Sequence, residues 1–129
     1  MMDCSIFSRK SKESLGAAVS CFENEYYNSC VNRAYYAMFQ VALAALLKSG
    51  VKPKAKKIGH DWVQAEFSRL FILRSKQFPH LKGLLTWVQK WRNTADYSDE
   101  EIGKKKAKRV LERAEVFVKD VSRRIDNDS

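Results

Sequence analysis

The stretch Ser29–Ser49, SCVNRAYYAMFQVALAALLKS, constrains the fold more than any other part of this chain. It contains no Gly or Pro, so nothing in it interrupts a continuous helix. On that helix Val31, Tyr35, Met38, Ala42 and Ala45 share one stripe, and Ala34, Phe39, Leu43, Leu46 and Leu47 carry the apolar surface past half the circumference. Such a helix must be covered on several sides. Asn32, Arg33 and Gln40 interrupt it, and what stays apolar is shorter than the roughly 20 residues a bilayer requires, so no membrane span is expected. The stretch reads as the central helix of a soluble helical bundle.

The flanking sequence supplies the helices that would cover it. A first helix is expected from about Ser11 to Tyr27, capped by Ser8 or Ser11, with Leu15, Ala18, Val19 and Phe22 inward. Asn28 breaks the pattern and Ser29 is a plausible cap for the central helix, so the first two helices form an antiparallel hairpin. Gly50 and Pro53 then stop the central helix, and Lys52, Lys54, Lys56 and Lys57 make the loop after it basic. A third helix fits about Gly59 to Arg74, with Val63, Phe67, Leu70 and Phe71 inward. A fourth fits about Leu81 to Ala95, with Leu84, Leu85, Val88 and Trp91 as its stripe, Trp87 near the edge and Gly83 weakening its first turn. Ser98-Asp99-Glu100-Glu101 has the form of a capping box, which predicts a last helix starting there and running to about Arg124. Its buried face would be Ala107, Val110, Leu111, Ala114, Phe117, Val118, Val121 and Ile125. No strand or internal repeat is apparent. The expectation is an all-α fold, one domain over residues 1–129, an up-and-down bundle of about five helices.

With 129 residues the chain can bury about two thirds of its unfolded surface, enough for a core without disulfides or metal. Cys4, Cys21 and Cys30 form no CxxC pair and have no His at ligand spacing; reduced thiols are expected, with Cys21 and Cys30 facing the core and no metal or cofactor. The opening MMDCSIFSRKSKES lacks an apolar segment, so a signal peptide is not expected and the cytoplasm is the expected location. A formal charge of +9 favours polyanions or an acidic partner, and serves solubility equally well.

The chemistry concentrates at Trp91-Arg92-Asn93-Thr94-Ala95-Asp96-Tyr97. Arg92 and Asp96 are one helical turn apart, which gathers a guanidinium, an amide, a carboxylate and a phenol at one spot. An intrahelical ion pair with Tyr97 packed across the bundle explains the same spacing without any ligand.

Four segments give the chain a recognisable order: Arg33-Ala34-Tyr35-Tyr36-Ala37-Met38-Phe39, then His60 followed by Phe67, then Arg92-Asn93 with Ala95-Asp96-Tyr97, and finally Ala114-Glu115 with Phe117. From about Lys10 to Ile125 it resembles the HEPN superfamily (higher eukaryotes and prokaryotes nucleotide-binding), in its small stand-alone prokaryotic type. The resemblance implies a HEPN-like homodimer, often paired with a nucleotidyltransferase in a toxin–antitoxin or defence system. It also implies metal-independent cleavage of RNA where an Arg, usually followed by a polar residue, has a His about four to six residues further on, two such motifs meeting across the dimer. Here Tyr97 stands in the place of that His, and no His follows His80. An unperturbed Tyr, with a pKa near 10, exchanges protons poorly at neutral pH.

The expected function is therefore a dimeric module that binds RNA or a nucleotide through Arg33, Tyr36, Arg92, Asn93, Asp96 and Tyr97, with weak or no catalysis. The surplus of apolar positions in the second and fourth helices also points to a dimer. One alternative is a metal-independent RNase using Arg92 with Tyr97 or His60. Another is a purely protein-binding subunit, with Tyr97 as acceptor of a nucleotide added by the partner. Arg74 and His80 also match the Arg-to-His spacing, but in a Pro-containing loop, where the match reads as coincidence.

Overall fold

The computed structural model describes residues 3–53 and 58–127, so the expected basic contribution of Lys54, Lys56 and Lys57 lies outside the described residues. The chain forms α1 (Cys4–Glu23), α2 (Tyr27–Lys48), α3 (His60–Phe67), which continues as π-helix over Ser68–Arg74, a short 3-10 turn at Pro79–Leu81, α4 (Leu84–Tyr97) and α5 (Lys104–Asn127). Among the described residues there is no strand. The all-α bundle of five helices is as the sequence predicts.

Helix α2 sits at the centre and packs against α1, α3, α4 and α5. By length and composition it could cross a membrane, but most of it is buried inside this bundle. The whole predicted stripe from Val31 to Ala45 is buried, together with Ala34, Leu43 and Leu46, while Phe39 and Leu47 are partly covered. The helix stops in a Schellman motif. Gly50 takes φ 85, the Val51 N–H bonds the Leu46 carbonyl at 3.0 Å and the Gly50 N–H bonds that of Leu47 at 3.1 Å. Its own chain therefore covers most of the apolar surface of α2, leaving Phe39 and Leu47 half-covered.

Several helix boundaries and two buried faces differ from expectation. Helix α1 begins seven residues before Ser11, because Asp3 rather than Ser8 or Ser11 is its cap, its carboxylate accepting the Ser5 N–H at 2.9 Å. Those serines lie inside instead: Ser8, Ser11, Ser14 and Ala18 form the buried stripe of α1, with Leu15, Val19 and Phe22 flanking it. Small side chains let α1 approach α2 closely, and Ser11 Oγ donates to the Ala37 carbonyl at 2.6 Å, so the buried hydroxyl is satisfied. Helix α2 starts at Tyr27, two residues before Ser29, and the turn is made by Asn24–Tyr26, with Glu25 at φ 64.

The third difference is at the last helix. Ser98 does not cap it; its Oγ accepts the Glu100 N–H at 3.1 Å within an exposed turn, and α5 begins only after Gly103. The intervening segment is pinned when the Ile102 N–H donates to Asn28 Oδ1 at 3.0 Å and Ile102 is buried. Every predicted inward residue of α5 is buried. Phe117 joins Phe67, Phe71 and Phe78 in an aromatic cluster, with Phe67 5.3 Å from Phe117 and 5.1 Å from Phe71 between ring centres.

The fourth helix corrects the expectation that matters most. Its buried face is Leu85, Val88 and Arg92, while Leu84, Trp87 and Trp91 make a half-buried stripe to one side. Gly83 precedes the helix instead of weakening it, and at φ 76 it makes the turn into it. An arginine occupies the inward position that Trp91 was expected to fill.

Candidate functional site

The site is built on that arginine. Arg92 is only 8% exposed, and its guanidinium lies 5.1 Å from the Tyr35 ring, 5.7 Å from that of Tyr36 and 5.9 Å from that of Tyr97. Its one ion-pair contact among the described residues, Nη1 to Asp96 Oδ2, is long at 3.8 Å. Asp96 has a shorter bond elsewhere, accepting from Asn32 Nδ2 at 2.8 Å on the same oxygen. Asn32 Oδ1 in turn accepts from Arg33 Nε and Nη2, and the Arg33 guanidinium lies 5.1 Å from the Tyr36 ring.

A guanidinium carries five N–H donors. Among the described residues the Arg92 guanidinium donates no hydrogen bond, and its Nε–H is buried without a partner. A buried donor left unmade costs about 1–3 kcal/mol, so an arginine held this way is expensive unless something outside the chain completes it.

The fold brings a further predicted residue to the same aromatic cluster. His60 opens α3, 4.7 Å from Phe39, 5.5 Å from Tyr35 and 6.0 Å from Tyr36 between ring centres, with Nδ1 2.6 Å from the Tyr35 hydroxyl. Burial and the nearby Arg92 charge lower its pKa from 6.5, with Asp61 opposing, so it is neutral at pH 7. Burial pushes the Tyr35 phenol up to about 12, although a hydrogen bond from Gln64 and the charge of Arg92 pull the other way. Tyr35 is therefore a protonated donor. The Tyr35 hydroxyl and His60 Nδ1 share that one short hydrogen bond, which leaves Nε2 as the ring nitrogen not engaged by Tyr35.

Of the residues expected from sequence, the structure gathers Arg33, Tyr36, His60, Arg92, Asp96 and Tyr97 at one corner. Asn93 is not gathered: its side chain is exposed and makes no hydrogen bond among the described residues. Asn32 and Gln64 were missed, though polar residues beside Arg33 and one turn from His60 were visible signals. His80 lies elsewhere, its Nε2 2.7 Å from Asp120 Oδ2 on α5, so the Arg74-to-His80 spacing has no counterpart in space at the corner. Among the described residues no group of three or more His, Cys, Asp or Glu is placed to hold a metal ion. Of the thiols, Cys30 lies in the core and Cys21, partly buried, packs against it, so both face the core as expected.

Comparison with known proteins gives the chain its place. The family model described as HEPN domain matches residues 5–125. The chain belongs to the HEPN family. Two proteins of Methanocaldococcus jannaschii, both provisionally named toxins, are similar to it: one is 31% identical over 110 residues, covering 84% of this chain and 72% of the relative. The other is 33% identical over 108 residues, covering 83% and 77%. A UPF0332 protein of Thermotoga maritima is 30% identical over 120 residues, covering 92% and 88%. Inside the matched region Arg92-Asn93 is followed one turn later by Asp96-Tyr97. Tyr97 is 78% exposed, whereas the histidine nearest Arg92 comes from α3.

Proposed function

We propose that this HEPN protein is the toxin-type member of a toxin–antitoxin pair and acts by binding RNA as a homodimer, with Arg92 taking a phosphate. The observation that carries this reading is a buried guanidinium that donates no hydrogen bond among the described residues. A phosphate oxygen supplies the charge-assisted acceptor that Asp96, at 3.8 Å and bonded to Asn32, supplies poorly. Tyr36 and the exposed Tyr97 flank that position with ring faces suited to a base, and Arg33 adds a second cation. The toxin names of the relatives support the pairing, and the family resemblance supports the dimer and a nucleotidyltransferase as the partner. Tyr97 offers that partner an accessible hydroxyl beside the Arg92 corner.

A second reading, metal-independent RNA cleavage, is favoured by the placing of His60 against the same tyrosines as Arg92. Tyr35 occupies Nδ1, so His60 has one ring nitrogen left to exchange a proton with RNA, while cleavage through the 2′-hydroxyl needs one group to take a proton and another to give it. Binding is therefore the primary reading. The test is induced expression in a bacterial host beside incubation of purified protein with RNA in EDTA. Growth arrest lost in Arg92→Ala, with no cleavage, supports binding; cleavage lost in both Arg92→Ala and His60→Ala promotes the nuclease reading. Growth arrest that persists in Arg92→Ala removes the corner from the function.

A further inference from the structure

A second cationic surface lies on the other flank of α4. Leu84, Trp87 and Trp91 succeed one another at helical spacing on the side of α4 away from Asn93 and Tyr97. Lys106, Arg109 and Arg113 keep the same spacing on α5. Between the two helices is an open groove of about 390 Å³, lined by Lys82, Leu84, Trp87, Lys106, Arg109 and Arg113. No carboxylate lines it, and none of the four cations is in an ion pair among the described residues. Two of them rest on the indoles instead: Lys106 Nζ is 4.0 Å from the Trp91 ring and 5.6 Å from Trp87, and the Arg113 guanidinium is 5.2 Å from Trp87.

We propose that this groove is a binding track for single-stranded nucleic acid, RNA under the reading above, separate from the Arg92 corner. Four cations without carboxylates ask for a polyanion. Half-buried indole and guanidinium planes between them ask for flat rings, and a single strand offers both at once, phosphates on one edge and unstacked bases on the other. An acidic peptide would satisfy the charge but offer the indoles no flat ring to stack on. A second copy of this chain is disfavoured as occupant, since a twofold interface sets a patch against itself and would bring these four cations against their own copies. The choice of nucleic acid rests on the groove and not on Arg92, so the two can fail separately.

The test is fluorescence anisotropy of a labelled single-stranded oligouridine with the full chain, with polyglutamate as competitor. Trp87→Leu should weaken binding about tenfold, the loss expected for one stacked base, and Arg109→Glu with Arg113→Glu should abolish it at moderate salt. Lys106→Gln, a change at a partly exposed side chain, guards against a folding defect in Trp87→Leu and should also weaken binding. Groove variants that bind like the parent while Arg92→Met does not would overturn the track and leave the Arg92 reading standing; the reverse pattern does the opposite. Displacement by polyglutamate at equal charge concentration, with Trp87→Leu unchanged, would also overturn it and mark an acidic protein's docking face.

Discussion

Replacing Arg92 with methionine separates a guanidinium kept for a ligand from one that ties the fold together. Its three ring contacts lie near the outer limit for cation–π attraction and together stabilise by about 2 kcal/mol in a partly dry site. The 3.8 Å contact with Asp96, weakened by the Asn32 bond, adds about 0–1 kcal/mol. Against these stands the buried Nε–H without a partner, at about 1–3 kcal/mol. Methionine keeps most of the apolar stem and adds no polar atom that needs a partner. These contributions nearly cancel, so Arg92→Met should unfold within about 1 kcal/mol of the parent, or about 4 °C in Tm for a chain this long. Urea denaturation with matched m-values is the assay. A loss above about 3 kcal/mol would refute the reasoning, because the guanidinium would then be a structural tie.

Other substitutions should behave differently. Phe117→Ala removes a fully buried ring from the Phe67, Phe71 and Phe78 cluster and should cost about 3–5 kcal/mol in the same assay. Asn28→Ala removes the acceptor of the Ile102 N–H; about 1 kcal/mol is expected, with faster hydrogen exchange confined to the segment before α5. Burial pushes the Cys30 thiol up to about 12, so a disulfide reagent near pH 8 should label Cys4 and Cys21 while Cys30 reacts only on unfolding. For His60, whose folded pKa lies below 6.5, the unfolded chain takes up its proton first as pH falls. Stability should therefore drop below about pH 6.5, and His60→Gln should show a smaller drop.

The bundle was legible because α2 and α5 write their buried faces in unbroken apolar periodicity, and burial tracks that period almost residue for residue. Helix α1 was harder, since its tightest contacts are serines, which local rules assign to caps; only the closeness of α2 turns Ser11 into an interior residue. The turn at Ser98 misled for the opposite reason. It offers a cap that the chain uses for a bend, while Asn28, far away in sequence, anchors the backbone at Ile102 just ahead of α5. At the site, Arg92, Asp96 and Tyr97 could be read from one turn of helix. The inward turn of Arg92 could not, because Trp91 fits the apolar stripe better by composition, and only α2's tyrosines beneath α4 make the arginine's position tenable. His60 reaches the corner through tertiary packing alone.

The salt dependence of RNA affinity tests most directly whether Arg92 receives a phosphate. Measured for parent and Arg92→Met across a salt series, affinity should fall in the variant, and the slope of log K against log salt should become shallower by about one, the signature of one lost phosphate contact. Equal affinity and equal slope in the two proteins would mean that the buried guanidinium touches no phosphate, and the function would have to be sought elsewhere on the molecule.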